Sequence, residues 1–175
     1  MATISHISHI STAHESSRNI WGPLLWKSFH LLCAISDRKD IVFRWRKLLE
    51  LTTVVMPCAF CRIHMTEYLR SHRIFGKQLS KWTPSSGIEV KNAISLGIHA
   101  FHNHVNTSNG KPALSFEEGI SLLNIGEKSR KEIGDIIIHN LSLIESLWSK
   151  YKSRDYSIWN TEFITLIRLC QSGSF

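Results

Sequence analysis

The sequence predicts an all-α protein built around one core. Apolar residues recur every three or four positions in six segments, as they do on one face of a helix. Prolines and glycines fall mainly where these segments begin or end. The chain has 175 residues, of which 43% are hydrophobic and 20% charged, and this suits a single globular domain large enough to bury a core.

The first helix is predicted over Ile20–Ile35, with Pro23 near its start, where a missing N–H does no harm. Residues 1–18 are rich in Ser, Thr and His, so we expect a disordered lead there. This lead lacks the basic flank and apolar stretch of a signal peptide, and no apolar run reaches the roughly 20 residues of a membrane span. We therefore expect a soluble, cytosolic protein.

Three further helices are predicted over Asp40–Val54, Cys58–Ser71 and Ile88–Thr107. The end of the second, with the sequence LTTVV, is β-branched and equally suits a short strand. Turn residues between Gly76 and Gly87 indicate a loop, and Gly110 is expected to cap the fourth helix.

The last third of the chain predicts additional helices. Ser129–Glu132 has the pattern of a capping box at a helix start. The apolar stripe that follows comprises Ile133, Ile136, Ile137, Leu141, Ile144, Leu147, Trp148 and Tyr151. A final helix over Ser157–Cys170 carries Ile158, Phe163, Ile164, Ile167 and Leu169.

The pair Cys58 and Cys61, which follows Pro57, is the first feature that points to chemistry. Residues three apart share a helix face, and the free N–H groups of a first turn stabilise a thiolate at Cys58. His64 lies three residues further on, on the same side. The pair alone suits a zinc site, a redox centre and a structural disulfide about equally.

Two other stretches carry polar or aromatic side chains on helix faces. His99, His102 and Asn106 form one polar stripe on the fourth helix, and Lys111 follows that helix. Asn is a poor helix former, so this stripe suits contacts with a nucleotide as well as a plain surface. Trp26 and His30, four residues apart, offer a flat wall with a polar edge.

The net charge and the two remaining cysteines say little about function. The net charge of +7 is compatible with an anionic partner such as nucleic acid, a phosphate or an acidic protein. Cys33 and Cys170 stand apart from the pair, and we interpret both as small buried residues. Cys170, near the chain end, is also a candidate relay cysteine.

Together, three motifs resemble in order the signatures of the Erv/ALR family of FAD-linked sulfhydryl oxidases: GPLLWKSFH, PCAFCRIHMTEYL and HNHVNTSNGKP. The resemblance covers about residues 20–114, and the third motif is the specific one. It implies an FAD-binding four-helix bundle over residues 19–114, followed by a helical extension over 115–175. The CRIH segment is especially similar to members from large DNA viruses, which would place the protein in the host cytoplasm or the virion.

The resemblance also implies roles for individual residues. Cys58 is the outer sulfur that an incoming thiolate attacks, and Cys61 lies against the flavin, with His64 beside the cofactor. Other implied cofactor contacts are Gly22, Trp26, His30, His102, Asn103, Val105, Asn106 and, at a phosphate, Lys111.

The implied activity is the oxidation of thiols to disulfides, in which electrons pass through FAD to oxygen and yield hydrogen peroxide. The expected partners are a thiol-bearing substrate or relay protein and a second copy of the chain, without nucleic acid or membrane. The alternative is a zinc-binding helical module that uses Cys58, Cys61, His64 and His102 and interacts with nucleic acid or protein. A redox-inactive scaffold is disfavoured by the intact cysteine pair.

Overall fold

The structure is a computed structural model that describes residues 4–71, 84, 86–148 and 153–173, with side chains from residue 17 onward. Seven α-helices and one short 3-10 turn make up the described chain, which contains no strand. The helices are α1 (Ile4–Ala34), α2 (Val42–Val55), α3 (Ala59–Ser71), α4 (Gly87–Ser108), α5 (Phe116–Ser121), α6 (Arg130–Trp148) and α7 (Arg154–Gln171). The all-α prediction is confirmed, and within the first four helices α4 packs on α1 and α3 packs on α2.

Helix α1 differs most from the prediction because it begins at Ile4 instead of near Ile20. It therefore includes most of the 1–18 segment that was expected to be disordered. No Gly or Pro lies between Ile4 and Trp21, so nothing in the sequence stops the helix from propagating toward the N-terminus. Pro23 consequently lies inside the helix, where it cannot donate to the carbonyl of Asn19.

The predicted bounds of α2, α3 and α4 agree with the structure to within two residues. The LTTVV segment is helical through Val55, so the alternative of a short strand is wrong. Gly110 follows α4 with a φ of 69°, a left-handed conformation that favours glycine and fits its predicted capping role. Most of the predicted loop at 76–87 lies outside the described residues.

The C-terminal helices share one core with the helices before them. Helix α6 packs along α1, and α7 packs on α2 and α6. Large aromatic side chains join these layers: Phe29 of α1 stacks on Phe163 of α7 at 5.7 Å, and Trp21 meets Trp148 edge-on at 5.3 Å. Within residues 115–148 and 153–173, α5, α6 and α7 supply the predicted additional helices. Five residues of the predicted stripe are buried, namely Ile133, Ile137, Leu141, Ile144 and Trp148, while Ile136 and Leu147 are partly buried and Tyr151 lies outside the described residues.

Local details of α6 and α7 are partly as predicted. The Ser129–Glu132 capping box is present, because the Glu132 carboxylate accepts from the Ser129 N–H and the Ser129 hydroxyl accepts from the Glu132 N–H. On α7, Phe163 and Ile167 are buried, whereas Ile158 is exposed. The buried face of α7 also includes Trp159, Leu166 and Cys170, and it extends to Tyr156 because the helix begins three residues earlier than predicted.

Two polar clusters connect the helices. Glu162, which is almost fully buried, accepts hydrogen bonds from Arg44 and Lys47, each at 2.8 Å. Arg130 pairs with Asp37 and donates to the carbonyl of Cys170. These ion pairs fix α7 on α2 and the start of α6 on the end of α1.

Cys33 and Cys170 are buried free thiols, which confirms their interpretation as small core residues. Burial raises the pKa of Cys33 well above its usual range and that of Cys170 to about 11. The described helices include none with the length and apolar character needed to cross a membrane.

Candidate redox site and its cavity

The turn between α2 and α3 carries the cysteine pair. Helix α2 ends where the N–H of Met56 donates to the carbonyl of Thr52, and Pro57 then redirects the chain. Cys58 lies just before α3, at its N-cap, rather than inside the helix as predicted. Its carbonyl accepts the first helical hydrogen bond, from the N–H of Arg62.

Cys58 and Cys61 form a disulfide, with their Cα atoms 5.2 Å apart. The N–H of Cys61 also donates to Sγ of Cys58 at 3.1 Å, so the outer sulfur occupies the capping position at the positive end of α3. The Arg62 guanidinium donates to the Met56 carbonyl at 3.1 Å and so ties the turn to α3. This arrangement stabilises negative charge on Cys58 when the disulfide is opened.

A cavity of about 730 Å³ lies between α1, α3, α4 and α5. Every residue that the resemblance assigned to the cofactor lines it: Gly22, Trp26, His30, Cys61, His64, His102, Asn103, Val105, Asn106 and Lys111. Cys58 does not line it. The two sulfurs of the disulfide therefore differ, since only Cys61 belongs to the cavity wall.

The rings of Trp26, His30 and His102 lie together in the cavity wall. Trp26 of α1 and His102 of α4 are stacked, with centroids 4.3 Å apart and planes within 6°. This spacing is ordinary for stacked rings and leaves no room for a further ring between them. A planar ligand can therefore reach only the outer faces and edges of the pair.

His30 and His102 are joined by a hydrogen bond of 2.9 Å between Nε2 of His30 and Nδ1 of His102. Burial, followed by the charge of His99, lowers the pKa of His30 to about 4. Burial, followed by the charges of His30, His99 and Lys111, lowers the pKa of His102 to about 4. Both rings are neutral at pH 7, and one donates to the other.

Asn103 faces the segment that follows α4. Its Oδ1 accepts from the backbone N–H of Leu114 at 3.1 Å, and its Nδ2 donates to the carbonyl of Leu114 at 2.8 Å. Nε2 of His99 lies 3.1 Å from the same carbonyl and 3.1 Å from Nδ2 of Asn103. We call the Asn103 amide, the His99 ring and the Leu114 backbone the Leu114 latch.

After α4 the chain reverses direction, so that the backbone of Lys111 lies against the last turn of the helix. The backbone N–H of Lys111 donates to the carbonyl of Asn106 at 2.8 Å, and this reversal depends on the left-handed Gly110. Lys111 lies near enough to His102 to lower the pKa of that ring. Lys111 is thus an exposed cation in the cavity lining.

Sequence reasoning missed several lining residues. Arg18 and Lys27 of α1 add positive charge to that of Lys111, while the described lining contains no Asp or Glu. In the sequence, Arg18 and Lys27 look like ordinary surface residues. Only their positions on the face of α1 that lines the cavity show that they belong to it. The wall contributed by the α5 region (Leu114, Gly119, Leu122 and Leu123) follows the last recognisable motif, so no pattern indicated it.

His64 of α3 lines the cavity near the disulfide. Its ring lies 3.9 Å from that of Phe60, and both line the cavity. The alternative zinc set needs thiolates at Cys58 and Cys61, which are joined as a disulfide. Within the described parts of the chain, no three His, Cys, Asp or Glu residues are grouped as metal ligands.

The fold and site define a class: helical proteins in which a disulfide at a helix start opens on one side to an aromatic and basic cavity. Residues 23–125 match the model of the Erv1/Alr family, so the chain belongs to that family. Members are generally sulfhydryl oxidases and typically bind FAD. No match was found among curated proteins or among solved structures. The family match includes α5 and ends before α6.

Proposed function

We propose that this protein is an FAD-dependent thiol oxidase that makes disulfides in substrate proteins through Cys58 and Cys61. The observation that carries the proposal is the asymmetry of the disulfide. Cys61 lines a cavity of about 730 Å³, whereas Cys58 does not. One sulfur can therefore face a bound cofactor while the other remains open to a protein thiol.

The cavity has the properties that FAD requires. Its volume falls within the roughly 300–1,000 Å³ of typical ligand sites. The Trp26 and His102 rings supply flat surfaces, and Arg18, Lys27 and Lys111 supply charge for a diphosphate. The absence of carboxylates from the described lining avoids repulsion of that anion. The residues present thus fit the cofactor that the family typically binds.

The chain's own step is thiol–disulfide exchange. A substrate thiolate attacks Sγ of Cys58, the Cys58–Cys61 bond breaks, and Cys61 leaves as a thiolate. The second substrate thiolate then attacks the substrate sulfur of the mixed disulfide with Cys58. This releases the substrate disulfide and a Cys58 thiolate. Two electrons have then passed from the substrate to the cysteine pair. The N–H of Cys61 and the positive end of α3 stabilise the charge on Cys58.

When bound, FAD supplies the two-electron acceptor that reoxidises the cysteine pair, and oxygen takes up the electrons as hydrogen peroxide. Trp26, His30, His102 and Asn106 would hold it, with Lys111 at a phosphate. We propose a thiol-bearing substrate or relay protein as electron donor. On the CRIH segment alone, we group the chain with members from large DNA viruses.

The test is to purify the chain and measure its flavin content, its zinc content and its oxygen uptake with a dithiol. We expect one FAD per chain, with absorbance at about 450 nm, and peroxide formation. Cys61→Ser should retain FAD and lose oxygen uptake. A colourless protein with one zinc per chain would instead support the zinc module.

A further inference from the structure

The α5 region forms part of the cavity wall but has almost no packing of its own. Helix α5 contains six residues and no buried side chain. Ile120 is 47% exposed and Leu122 is 70% exposed, although Leu122 lines the cavity. Leu123 and Ile125, which follow α5, are partly buried against the core, but no side chain of α5 itself is buried, so hydrophobic burial alone does not explain how this wall keeps its place.

The contacts that hold α5 converge on two side chains of α4. The Asn103 amide pairs with both backbone groups of Leu114, which is the residue before the Ser115 N-cap of α5. The ring of Phe116 meets that of His99 edge-on at 5.4 Å. Gly119 lies so close to His99 that an added Cβ would be 3.1 Å from Nδ1 of the ring.

These hydrogen bonds limit what else Asn103 can do. An amide side chain has two N–H donors and one carbonyl oxygen with two lone pairs. Leu114 uses one donor and one lone pair, and Nδ2 of Asn103 lies 3.1 Å from Nε2 of His99, which accepts the second N–H when the His99 ring is protonated at Nδ1. Little capacity remains for a cofactor, whereas the neighbouring Asn106 has no such pairing to the α5 region.

We infer that Asn103 and His99 are positioning residues that hold α5 as the wall of the cofactor cavity, and that Asn103 is not a direct ligand. The inference rests on the proposed FAD site and assigns a different role to one of its residues. The Leu114 latch fixes Leu114, Gly119, Leu122 and Leu123 against the bound cofactor. The cofactor in turn covers Leu122, which explains an exposed leucine at the cavity.

The test compares Asn103→Ala with Asn106→Ala and with a control, Asn92→Ala, on the exposed side of the same helix. Two quantities are measured on the full chain: the FAD dissociation constant, and backbone hydrogen exchange of residues 114–123 at saturating FAD. Loss of the latch should weaken FAD binding about tenfold and should speed exchange in that segment. Asn106→Ala should weaken binding without speeding exchange, and Asn92→Ala should change neither.

Two results would overturn the inference. If Asn103→Ala weakens binding with unchanged exchange, Asn103 is a direct ligand. If exchange rises with unchanged affinity, α5 is not part of the cofactor site. If the unaltered chain binds no FAD, the proposed function fails, while exchange without FAD still tests the latch.

A second variant guards against misfolding of the first. Gly119→Ala leaves the Asn103 hydrogen bonds in place and pushes α5 away from the His99 ring by a few tenths of an ångström. It should weaken FAD binding by about threefold. Unchanged affinity and exchange in both Gly119→Ala and Asn103→Ala would contradict the inference.

Discussion

The hydrogen-bonded pair His30 and His102 predicts a loss of stability in mild acid. Both rings have a pKa of about 4 in the folded chain, against an ordinary value of 6.5. The unfolded chain therefore binds more protons than the folded chain between these two values. Stability from the pair is fully present above pH 6.5 and falls as the pH drops toward 4. Protonation of both rings also removes the acceptor of their mutual hydrogen bond.

The magnitude follows from the two pKa values. One pKa unit corresponds to about 1.4 kcal/mol, so at pH 4.5 a single ring shifted in this way costs about 2.6 kcal/mol. Because both rings are half-buried and share one hydrogen bond, we halve the combined figure and expect about 2.5 kcal/mol for the pair.

The assay is urea unfolding of the full chain between pH 7.5 and pH 4.5. Carboxylates with lowered pKa values, such as Asp40, also make the free energy of unfolding depend on pH, mainly at the acid end of this range. The difference between the unaltered chain and the variants is therefore more informative than the total change with pH. The double variant His30→Asn/His102→Asn should lose about 2.5 kcal/mol of the pH-dependent part. His139 of α6 is exposed, so the control variant His139→Asn should keep the full pH-dependent part of the stability. An unchanged pH dependence in the double variant would show that these two histidines are not its source.

Three other predictions concern the core, the free thiols and the oligomer. Glu162→Gln should lower the free energy of unfolding by about 1–2 kcal/mol in denaturant titration, because Arg44 and Lys47 lose a carboxylate that is only 7% exposed; no change would refute its role. Cys33 and Cys170 should resist thiol reagents until the chain unfolds, and Cys170→Ser should keep full oxygen uptake; lower uptake would favour the relay. The homodimer implied by the resemblance stays a prediction: light scattering should give about twice 20.1 kDa, and the mass of one chain would count against it.

The helices were predictable because their signals are local. Apolar spacing and capping residues, such as Gly110 after α4 and the Ser129–Glu132 box, lie within a few residues of the features that they predict. The start of α1 was not predictable in this way. The segment before Ile20 is rich in Ser and His, which are weak helix formers, yet it contains no Gly or Pro that would end a helix.

The site was predictable only where motifs mark it. The cofactor contacts named from the three motifs all line one cavity, which Cys58 does not, although their roles toward a cofactor stay predictions. The α5 wall and the partner of Asn103 were not predictable. Leu114 lies 11 residues beyond Asn103, and the pairing arises from how the chain turns after α4, which no spacing rule encodes.

The central claim is that electrons leave a substrate through Cys58, reach Cys61 and then enter FAD. Anaerobic addition of a dithiol to the FAD-bound chain tests it directly, with the flavin absorbance at about 450 nm as the readout. Rapid bleaching is expected in the unaltered chain and none in Cys61→Ser, although that variant keeps its FAD. Equal bleaching in Cys61→Ser would show that electrons reach FAD without Cys61.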